Sequence, residues 1–515
     1  MVDGVTINNS YRGSIYHYLD FPIEMVQRIE VIRGAGSILY GSGAISGVVN
    51  IITRSADTEN QNSAFLSGGT YENNKVGALV STDVKGFKVS LDAYSQNSNT
   101  MIENTDRHLK DSAVGLRVQD DHFALVARVK KSSMGNAYGV IGVEDSNREK
   151  YFNVNGTAFV ELSYKNNLSK NNKIALSTGY NRYGQDVEAA HPSATIDKID
   201  AIYKEDGYFA QLDLISSSID DNELLLGAKF ETAKTITSVW EIGNTHISPA
   251  SNPDFTRAIT SLYLNDNYIL SSSLDISAGV RYDHYSDFGN SLSPTVGAVY
   301  RVTKKIKLKA LYSHAFRAPS WVELTSNPNL QAEKSDSLEA GIIYKPNNEH
   351  IIRANFYTSK IDDMIIRSTT YLQDSFNKFR GSELEYIYMP NNQIELNFFA
   401  SYIDAKDKHD DALVDIANVL ASTALIYDTS NGFSFGSLLK YVSSSKRSKT
   451  DTRDELPQSF IFDQTISYNF KNFTARLIVK DLFDNSTYYA LPPSATNNDF
   501  NDGGRTLLLK AEMKF

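Results

Sequence analysis

The densest group of residues that could bind a metal ion lies between positions 404 and 415. This stretch contains Asp404, Asp407, Asp410, Asp411 and Asp415, and carboxylate oxygens are the ligands that Ca²⁺ prefers. The spacing differs from that of an EF-hand loop, and the central glycine of such a loop is missing. We therefore predict a solvated acidic loop, with a calcium site as the alternative, and no bound metal or cofactor.

The sequence offers no catalytic motif in the structural context that its chemistry requires. It has no cysteine, and none of its nine histidines is followed by glutamate, which excludes the H-E-x-x-H motif of zinc hydrolases. A G-x-S-x-G match occurs at Gly432–Gly436, but it lies within a predicted strand, whereas serine hydrolases place this motif at a strand-to-helix turn. We predict that the protein is not an enzyme.

A glycine-rich stretch runs from Arg28 to Thr53, with the sequence RIEVIRGAGSILYGSGAISGVVNIIT. A dinucleotide-binding turn needs G-x-G-x-x-G, but Leu39 and Ser46 occupy the third glycine position of the two possible matches. A phosphate-binding loop needs a Gly-Lys pair, and the sequence has none. The glycines therefore predict tight turns or close backbone contacts between two strands.

Composition excludes two broad classes of protein. The 515 residues carry a net charge of −10, from 51 basic and 61 acidic side chains, which disfavours a nucleic-acid partner. Mean hydropathy is −0.33, and no apolar run approaches the ~20 residues that a membrane helix requires. A membrane barrel stays possible, because its strands alternate between apolar and polar residues.

From about residue 62 onward the sequence reads as twenty-two strands separated by connectors. The final strand, TLLLKAEMKF, places Leu507, Leu509 and Met513 on one face and Lys510 and Glu512 on the other. An even number of alternating strands is typical of a closed antiparallel membrane barrel. We predict that the strand ending at Phe515 pairs with the strand near residues 62–71.

The connectors alternate in length. Those after even-numbered strands are short, as at 120–121, whereas those after odd-numbered strands are mostly long, as at 184–205 and 232–254. Outer-membrane barrels have short turns at one end and long loops at the other. A propeller or sandwich does not sort its connectors in this way.

Three further motifs, with the stretch at Arg28–Thr53, resemble the TonB-dependent outer-membrane receptors, a family of siderophore and cobalamin receptors. Arg28–Thr53 resembles the plug motif of the family, with Ala35 in place of a proline and Ser46 in place of a glycine. Ser313–Tyr344 resembles the FRAPS and NPxL segments, Lys480–Pro492 resembles NLFDxxYY, and Phe515 resembles the C-terminal assembly signal. The resemblance covers the whole sequence.

This resemblance implies an all-β fold, a 22-stranded antiparallel transmembrane β-barrel with a partial α/β plug domain in its lumen. Residues 1–57 would be the C-terminal half of the plug, with a short helical turn after Pro22, and residues 62–515 the barrel. By the same resemblance, the signal peptide, the TonB box and roughly the first half of the plug would be missing from this sequence. We therefore expect a fragment or a mis-called start that is inactive in transport as written.

The implied function is energy-coupled uptake of a ferric siderophore or similar iron chelate across the outer membrane of a Gram-negative bacterium. The implied partners are the TonB complex, a ferric siderophore or cobalamin, and outer-membrane lipid with lipopolysaccharide. Cobalamin is the alternative ligand, because the acidic residues of 184–205 would repel an anionic chelate. They are Asp186, Glu188, Asp197, Asp200 and Glu205. A passive porin or adhesin barrel is a further alternative, although a porin lumen stays open.

Six residues of the predicted plug and loops are candidates for ligand binding. Aromatic side chains offer a large apolar contact area, and arginine pairs with anionic oxygens. The candidates are Tyr11, Arg12, Tyr16, Trp240, Arg317 and Trp321. Each could instead pack the loops or the rim.

The resemblance also implies ion pairs between plug arginines and wall glutamates. Alternation turns Glu339 and Glu383 toward the lumen, because Leu338 and Leu384 beside them should face lipid. A buried arginine needs a charged partner, so we predict that Arg28 and Arg33 pair with Glu339 and Glu383. The alternative is that these glutamates line a wet lumen.

Overall fold

The computed structural model describes most of the chain, and the following account concerns these residues alone: 1–14, 21–34, 36–55, 62–102, 105–134, 152–189, 199–242, 245–246, 255–367, 370–373, 375–449, 451–485, 487–490, 499–501 and 504–515. Tyr16 lies outside them. For Arg33 and Trp240 the structure describes the backbone only.

Residues 1–55 form a small N-terminal unit. A 3₁₀ turn at Ile23–Met25 leads into β1 (Val26–Arg33), and helix α1 (Ser37–Tyr40) separates it from β2 (Gly47–Thr53). The two strands pair antiparallel, and Val2 adds a parallel bridge to Ile51. The predicted turn after Pro22 and the two flanking strands are present.

The remaining described residues build a closed antiparallel barrel of 22 strands. Its first half contains β3 (Ser63–Gly69), β4 (Asn74–Val84), β5 (Phe87–Ile102), β6 (Thr105–Gln119), β7 (Phe123–Met134), β8 (Phe152–Asn167), β9 (Asn172–Ala189), β10 (Ile199–Ser216), β11 (Asn222–Ile242), β13 (Thr256–Ser271) and β14 (Leu274–Tyr285). The short β12 (Thr245–His246) extends the edge of β11.

The second half continues in chain order to the C-terminus. It contains β15 (Gly289–Arg301), β16 (Ile306–Arg317), β17 (Glu333–Tyr344), β18 (His350–Asp362), β21 (Asn377–Asn391), β22 (Ile394–Lys406), β23 (Val419–Asp428), β24 (Phe433–Val442), β25 (Ser459–Phe470), β26 (Phe473–Lys480) and β29 (Thr506–Lys514). Helix α2 (Trp321–Ser326) and the short strands β19 (Ile365–Arg367), β20 (Tyr371–Gln373), β27 (Tyr488–Tyr489) and β28 (Phe500–Asn501) lie in the longer connectors.

The barrel closes where its last strand meets its first. Residues Leu508–Lys514 of β29 pair antiparallel with Ser63–Gly69 of β3, which confirms the predicted closure. Closure matters because an open sheet edge would leave backbone groups without hydrogen-bond partners in lipid.

Alternation sorts the wall into two faces. In β17, Leu338 is 56% exposed on the outside, whereas Ser335 and Ser337 beside it are buried on the inside. In β29 the outward Leu509 and Met513 are exposed, and the inward Lys510 and Glu512 are buried. The predicted outward faces of both strands are confirmed. Neither helix of the described residues has the length and apolarity needed to cross a bilayer.

Two predicted loops are partly strand. β9 continues to Ala189 and β10 begins at Ile199, so most of the predicted loop 184–205 consists of strand, and β11 continues to Ile242. Of the acidic residues that we assigned to that loop, Asp186, Glu188, Asp200 and Glu205 lie on strands, and Asp197 lies outside the described residues. The prediction failed because these extensions carry polar residues on their outward face, which hides the apolar alternation.

The acidic stretch 404–415 begins at the end of β22 and forms a tight turn. Asp407 accepts hydrogen bonds from the backbone N–H groups of His409 (2.8 Å) and Asp411 (3.0 Å), and Asp411 pairs with Lys449 at 2.6 Å. Among the described residues, which include all of 404–415, no three acidic or histidine side chains are grouped so that they could hold a metal ion, so the structure does not support the calcium alternative.

Arg447, Asp451, Arg453 and Asp499 form a loop clasp that joins two connectors at the rim. Arg453 Nη1 lies 3.2 Å from Asp499 Oδ1, and Arg447 and Arg453 also contact Asp499 and Asp451 respectively. The connector after β24 is thereby tied to the connector before β29.

Candidate functional site

The junction between the N-terminal unit and the inner wall brings together several buried charged and aromatic side chains. At its upper edge the Tyr11 ring stacks on Tyr203 of β10, with a centroid separation of 4.2 Å. Tyr11 shares a buried cluster with Tyr183, Tyr203 and Trp321. Burial raises the pKa of Tyr11, so its phenol stays neutral at physiological pH.

The first backbone N–H groups of helix α2 have no hydrogen-bond partner within the helix. Two of them donate to the N-terminal unit instead. Trp321 N donates to the Ser10 carbonyl and Val322 N donates to the Tyr11 carbonyl, both at 3.0 Å. Trp321 is 1% exposed, and its ring stacks on Phe255 at 5.6 Å. This docking is therefore both polar and apolar.

The start of α2 is fixed by a capping box. The Ser320 hydroxyl accepts a hydrogen bond from Glu323 N, and the Glu323 carboxylate accepts one from Ser320 N at 2.7 Å. Arg317 contacts Glu323 at 3.0 Å and Glu333 at 2.6 Å. Arg317 therefore helps to hold the start of α2 in place, and its charge is balanced by Glu323 and Glu333.

A buried carboxylate supports the same junction from the wall. Both oxygens of Glu205 accept from Ser10 N at 3.0 Å, and the Tyr203 hydroxyl donates to the same group. Glu205, which we expected in an exposed loop, is thus part of the docking surface.

The six predicted ligand residues are placed differently from one another. Tyr11 and Trp321 lie together, buried, and Arg317 lies beneath them. Arg12 is exposed, with its guanidinium 5.7 Å from the Tyr11 ring centre. Trp240 lies opposite Ala201 in the β10–β11 ladder, and Tyr16 lies outside the described residues. Ligand contact by any of the six stays a prediction.

Three ion pairs fasten the N-terminal unit to the wall lower down. Asp3 pairs with Arg117 of β6 at 2.9 Å, Glu24 with Lys510 of β29 at 2.8 Å, and Arg54 with Glu512 of β29 at 3.2 Å. Asp3 also accepts from Thr53 N at 2.9 Å. We call these the three anchor pairs.

We predicted ion pairs between plug arginines and wall glutamates, and the three anchor pairs join other residues. Arg28 instead contacts Glu30 at 2.7 Å on an outward face of β1 and is 53% exposed. Its nearest acidic group lies two positions along its own strand, on the same face. The side chain of Arg33 is not described, so its pairing stays a prediction.

Glu339 and Glu383 occupy the predicted face, since Leu338 and Leu384 beside them are exposed on the outside. Glu339 meets the backbone of the N-terminal unit at Gly34. A Cβ added there would lie 2.0 Å from the Glu339 carboxylate, and Gly34 has φ +76°. Only glycine fits both conditions without strain.

The anchor pairs were missed because their partners are far apart in the sequence. The inward positions of Lys510 and Glu512 were visible from alternation in β29. Nothing local indicates that they meet Glu24 and Arg54.

The middle of the N-terminal unit contacts the wall through its glycine-rich turn. Gly43 N donates to the Phe316 carbonyl at 2.9 Å, and Ala318 N donates to the Ser42 hydroxyl at 2.8 Å. Gly41 has φ +73°, and a Cβ there would lie 3.1 Å from Arg281. The glycine-rich turn is therefore held against the wall by backbone hydrogen bonds and close packing.

Comparison with known families agrees with this architecture. The sequence model described as "TonB dependent receptor-like, beta-barrel" matches residues 53–482, and the "TonB-dependent Receptor Plug Domain" matches residues 1–48. The siderophore receptor PirA of Acinetobacter baumannii has the same fold, with a TM-score of 0.85, 17% identity and coverage of 100% of this chain and 90% of that one.

Two curated relatives are more similar in sequence. The vitamin B12 transporter BtuB of Vibrio vulnificus CMCP6 is 26% identical over 356 residues, covering 66% of this chain and 55% of that protein. The iron-regulated outer membrane virulence protein of Vibrio cholerae O395 is 26% identical over 380 residues, covering 67% and 54%. The chain spans about half the length of these relatives. It belongs to the family of TonB-dependent receptors of the outer membrane.

Proposed function

We propose that this receptor takes up a ferric siderophore or a similar iron chelate, with the TonB complex acting on the N-terminal unit. The observation that carries the proposal is the N-terminal unit itself, held inside a 22-stranded barrel by the three anchor pairs. A lumen of that size needs an obstruction if solutes are to be selected. Members of the family are receptors and not enzymes.

The anchor pairs suit a unit that must be displaced. Desolvation of a buried ion pair offsets much of its Coulomb attraction, so such pairs contribute specificity of position more than net stability. Separating each pair by an external force then costs little net free energy. An incorrectly placed N-terminal unit, by contrast, would leave buried charges without partners.

Arg12 is the residue that we propose for contact with an anionic chelate. It is exposed beside Tyr11 at the upper edge of the junction. An arginine can form bidentate hydrogen bonds with carboxylate or catecholate oxygens.

Cobalamin is a second candidate ligand. A vitamin B12 transporter of Vibrio vulnificus YJ016 is 25% identical over 520 residues, which cover 94% of this chain. The two ligand classes differ in charge, so substitution of Arg12 should weaken binding of an anionic chelate more than binding of cobalamin.

Binding to the purified protein in detergent tests the proposal. Quenching of tryptophan emission is followed during titration with a ferric catecholate, a ferric hydroxamate and cobalamin. We expect a ferric chelate to bind, and Arg12→Ala to weaken an anionic chelate by about 10-fold or more, since a charge-assisted hydrogen bond contributes ~1.5–3 kcal/mol. Arg28→Ala, another exposed arginine of the N-terminal unit, is the matched control. Binding of cobalamin alone would transfer the assignment to the second candidate, and binding of none would overturn both.

A further inference from the structure

Helix α2 contacts a different part of the receptor with each of its two ends. Its first two backbone N–H groups donate to the carbonyls of Ser10 and Tyr11 in the N-terminal unit, both at 3.0 Å. Its last residue, Ser326, and the next one, Asn327, contact the hairpin formed by β19 and β20. The helix therefore joins a hairpin on the side of the long connectors to the N-terminal unit.

The β19–β20 hairpin is a two-stranded sheet of its own, separate from the barrel wall. Asn327 Nδ2 donates to the Tyr371 carbonyl at 3.0 Å, and Tyr371 N donates to the Ser326 hydroxyl at 3.4 Å. We call these two hydrogen bonds the α2 latch. The register partners Ile366 and Leu372 are exposed. The hairpin therefore has one face on the α2 connector and one face in solvent.

The other end of the hairpin is fixed independently of the helix. Glu333 of β17 accepts a hydrogen bond from Ile365 N at 2.8 Å. Gln331 and Gln373 bond to each other twice, at 2.8 and 2.6 Å. Loss of the α2 latch would therefore leave the hairpin attached at its base and free to turn about that base.

The helix itself depends on the N-terminal unit. A helix of six residues is too short to be stable in isolation, so packing must hold it. Trp321 is fully buried in a cluster that includes Tyr11. From the wall, Arg257 donates to the Pro319 carbonyl at 2.7 Å and Arg317 contacts the first turn. Displacement of the N-terminal unit should therefore fray the helix without detaching the connector from the wall.

We propose that the seated N-terminal unit latches the β19–β20 hairpin through α2, and that displacement of residues 10 and 11 releases the hairpin. Tyr371 lies close enough to Tyr11 to interact with its phenol electrostatically, so a released hairpin changes the lumen mouth beside that residue. Coupling is reciprocal: a contact that holds the hairpin also strengthens the seat of residues 10 and 11. The coupling is a property of this chain and does not depend on which ligand is imported.

Hydrogen exchange of the purified protein in detergent, followed by mass spectrometry, tests this coupling. Glu205→Ala removes the carboxylate that holds Ser10 N, and it alters neither α2 nor the hairpin. We expect exchange at Tyr371–Gln373 to become about 10-fold faster, because the Tyr371 amide loses its hydrogen-bond partner. Glu205→Gln keeps an acceptor and should exchange as the unmodified protein does. Asp206→Ala, which removes the neighbouring carboxylate on the outer face of β10, is the matched control and should have no effect.

A double-variant cycle shows whether the effect passes through α2. Asn327→Ala removes one bond of the α2 latch directly, so adding Glu205→Ala to it should raise exchange little further. Fully additive effects would overturn the proposal, and so would equal effects of Glu205→Ala and Asp206→Ala. Unchanged hairpin exchange in both Glu205→Ala and Tyr11→Ala, which removes the ring stacked on Tyr203, would also overturn it. Migration of each variant as a folded barrel in unheated gels excludes misfolding.

Discussion

The carboxylate of Asp3 is 1% exposed and has Arg117 and Thr53 as partners. Removing it leaves the Arg117 guanidinium in a largely buried site without the carboxylate that contacts it, although Glu161 lies close enough to interact with its charge. By contrast, Arg28 and Glu30 form a pair of similar length that is open to solvent. Burial rather than distance therefore decides how much the loss of each ion pair destabilises the protein.

Asp3→Ala should lower the free energy of local opening of β2 by about 3 kcal/mol, because the buried Arg117 loses its contacting carboxylate. The measurement is amide hydrogen exchange of Gly47–Thr53. Arg117→Met added to Asp3→Ala should cost less than the sum of the single changes. Glu30→Ala serves as the control and should leave exchange unchanged, since exposed pairs contribute little. Equal effects of Asp3→Ala and Glu30→Ala would contradict the prediction.

Residue types were enough to single out Tyr11 and Trp321, and the structure places them together. They were not enough to find the anchor pairs, because Asp3 and Arg117 become neighbours only through closure of the sheet. The pairing predicted for Arg28 failed for the same reason, since alternation gives a face but not the residue opposite that face.

Among the elements, α2 is small, but it carries two of the backbone hydrogen bonds that hold the N-terminal unit. Ser320→Ala removes the cap and should destabilise α2 by about 1 kcal/mol. In a Trp240→Phe background Trp321 is the single tryptophan, and its emission should shift to longer wavelength as the helix frays. Ser320→Thr retains a capping hydroxyl and should restore the original emission. A spectrum unaffected by Ser320→Ala would show that the cap does not position Trp321.

The loop clasp should respond to acid within a defined range. Arg453 holds the pKa of Asp451 down to about 2, against ~3.9 for an unfolded aspartate. A lowered pKa contributes stability above the unfolded value, and this contribution is lost as the pH falls through the folded value. The clasp should therefore be intact at pH 4 and open near pH 2.

Pepsin cleavage of the connector after β24 measures this opening. Asp451→Asn should be cut faster than the unmodified protein at pH 4 and at the same rate near pH 2. Equal cleavage at pH 4 would contradict the assignment. Comparing both proteins at each pH removes the pH dependence of pepsin itself.

Alternation predicted the strands well where one face is apolar, as in β17 and β29. It failed at the upper ends of β9, β10 and β11, where Arg182 and Lys204 occupy outward positions. The backbone ladder continues there because neighbouring strands still hydrogen-bond, but no apolar face reveals it. Helix α2 was missed because its six residues are too few for a helical period.

For the whole molecule, closure depends on the contact of β29 with β3. A Cβ at Gly69 would lie 2.1 Å from the Leu507 carbonyl oxygen, so Gly69→Ala forces the closing strands apart and should cost ~1–3 kcal/mol. The expected result is a lower temperature for loss of the compact band in unheated gels. Gly156→Ala, at a strand glycine with open space, is the matched control. Equal midpoints for the two variants would show that the seam tolerates the methyl group.

Two of the three anchor pairs end on β29, which follows all the other described strands in chain order. Glu24 and Arg54 therefore wait for partners from the opposite end of the chain, and contacts so distant in sequence form late. This imposes an order on biogenesis: the N-terminal unit cannot be seated until Lys510 and Glu512 have entered the wall. We therefore expect a chain stalled before that step to hold its N-terminal unit without two of the three anchor pairs, and so to leave the lumen less securely obstructed.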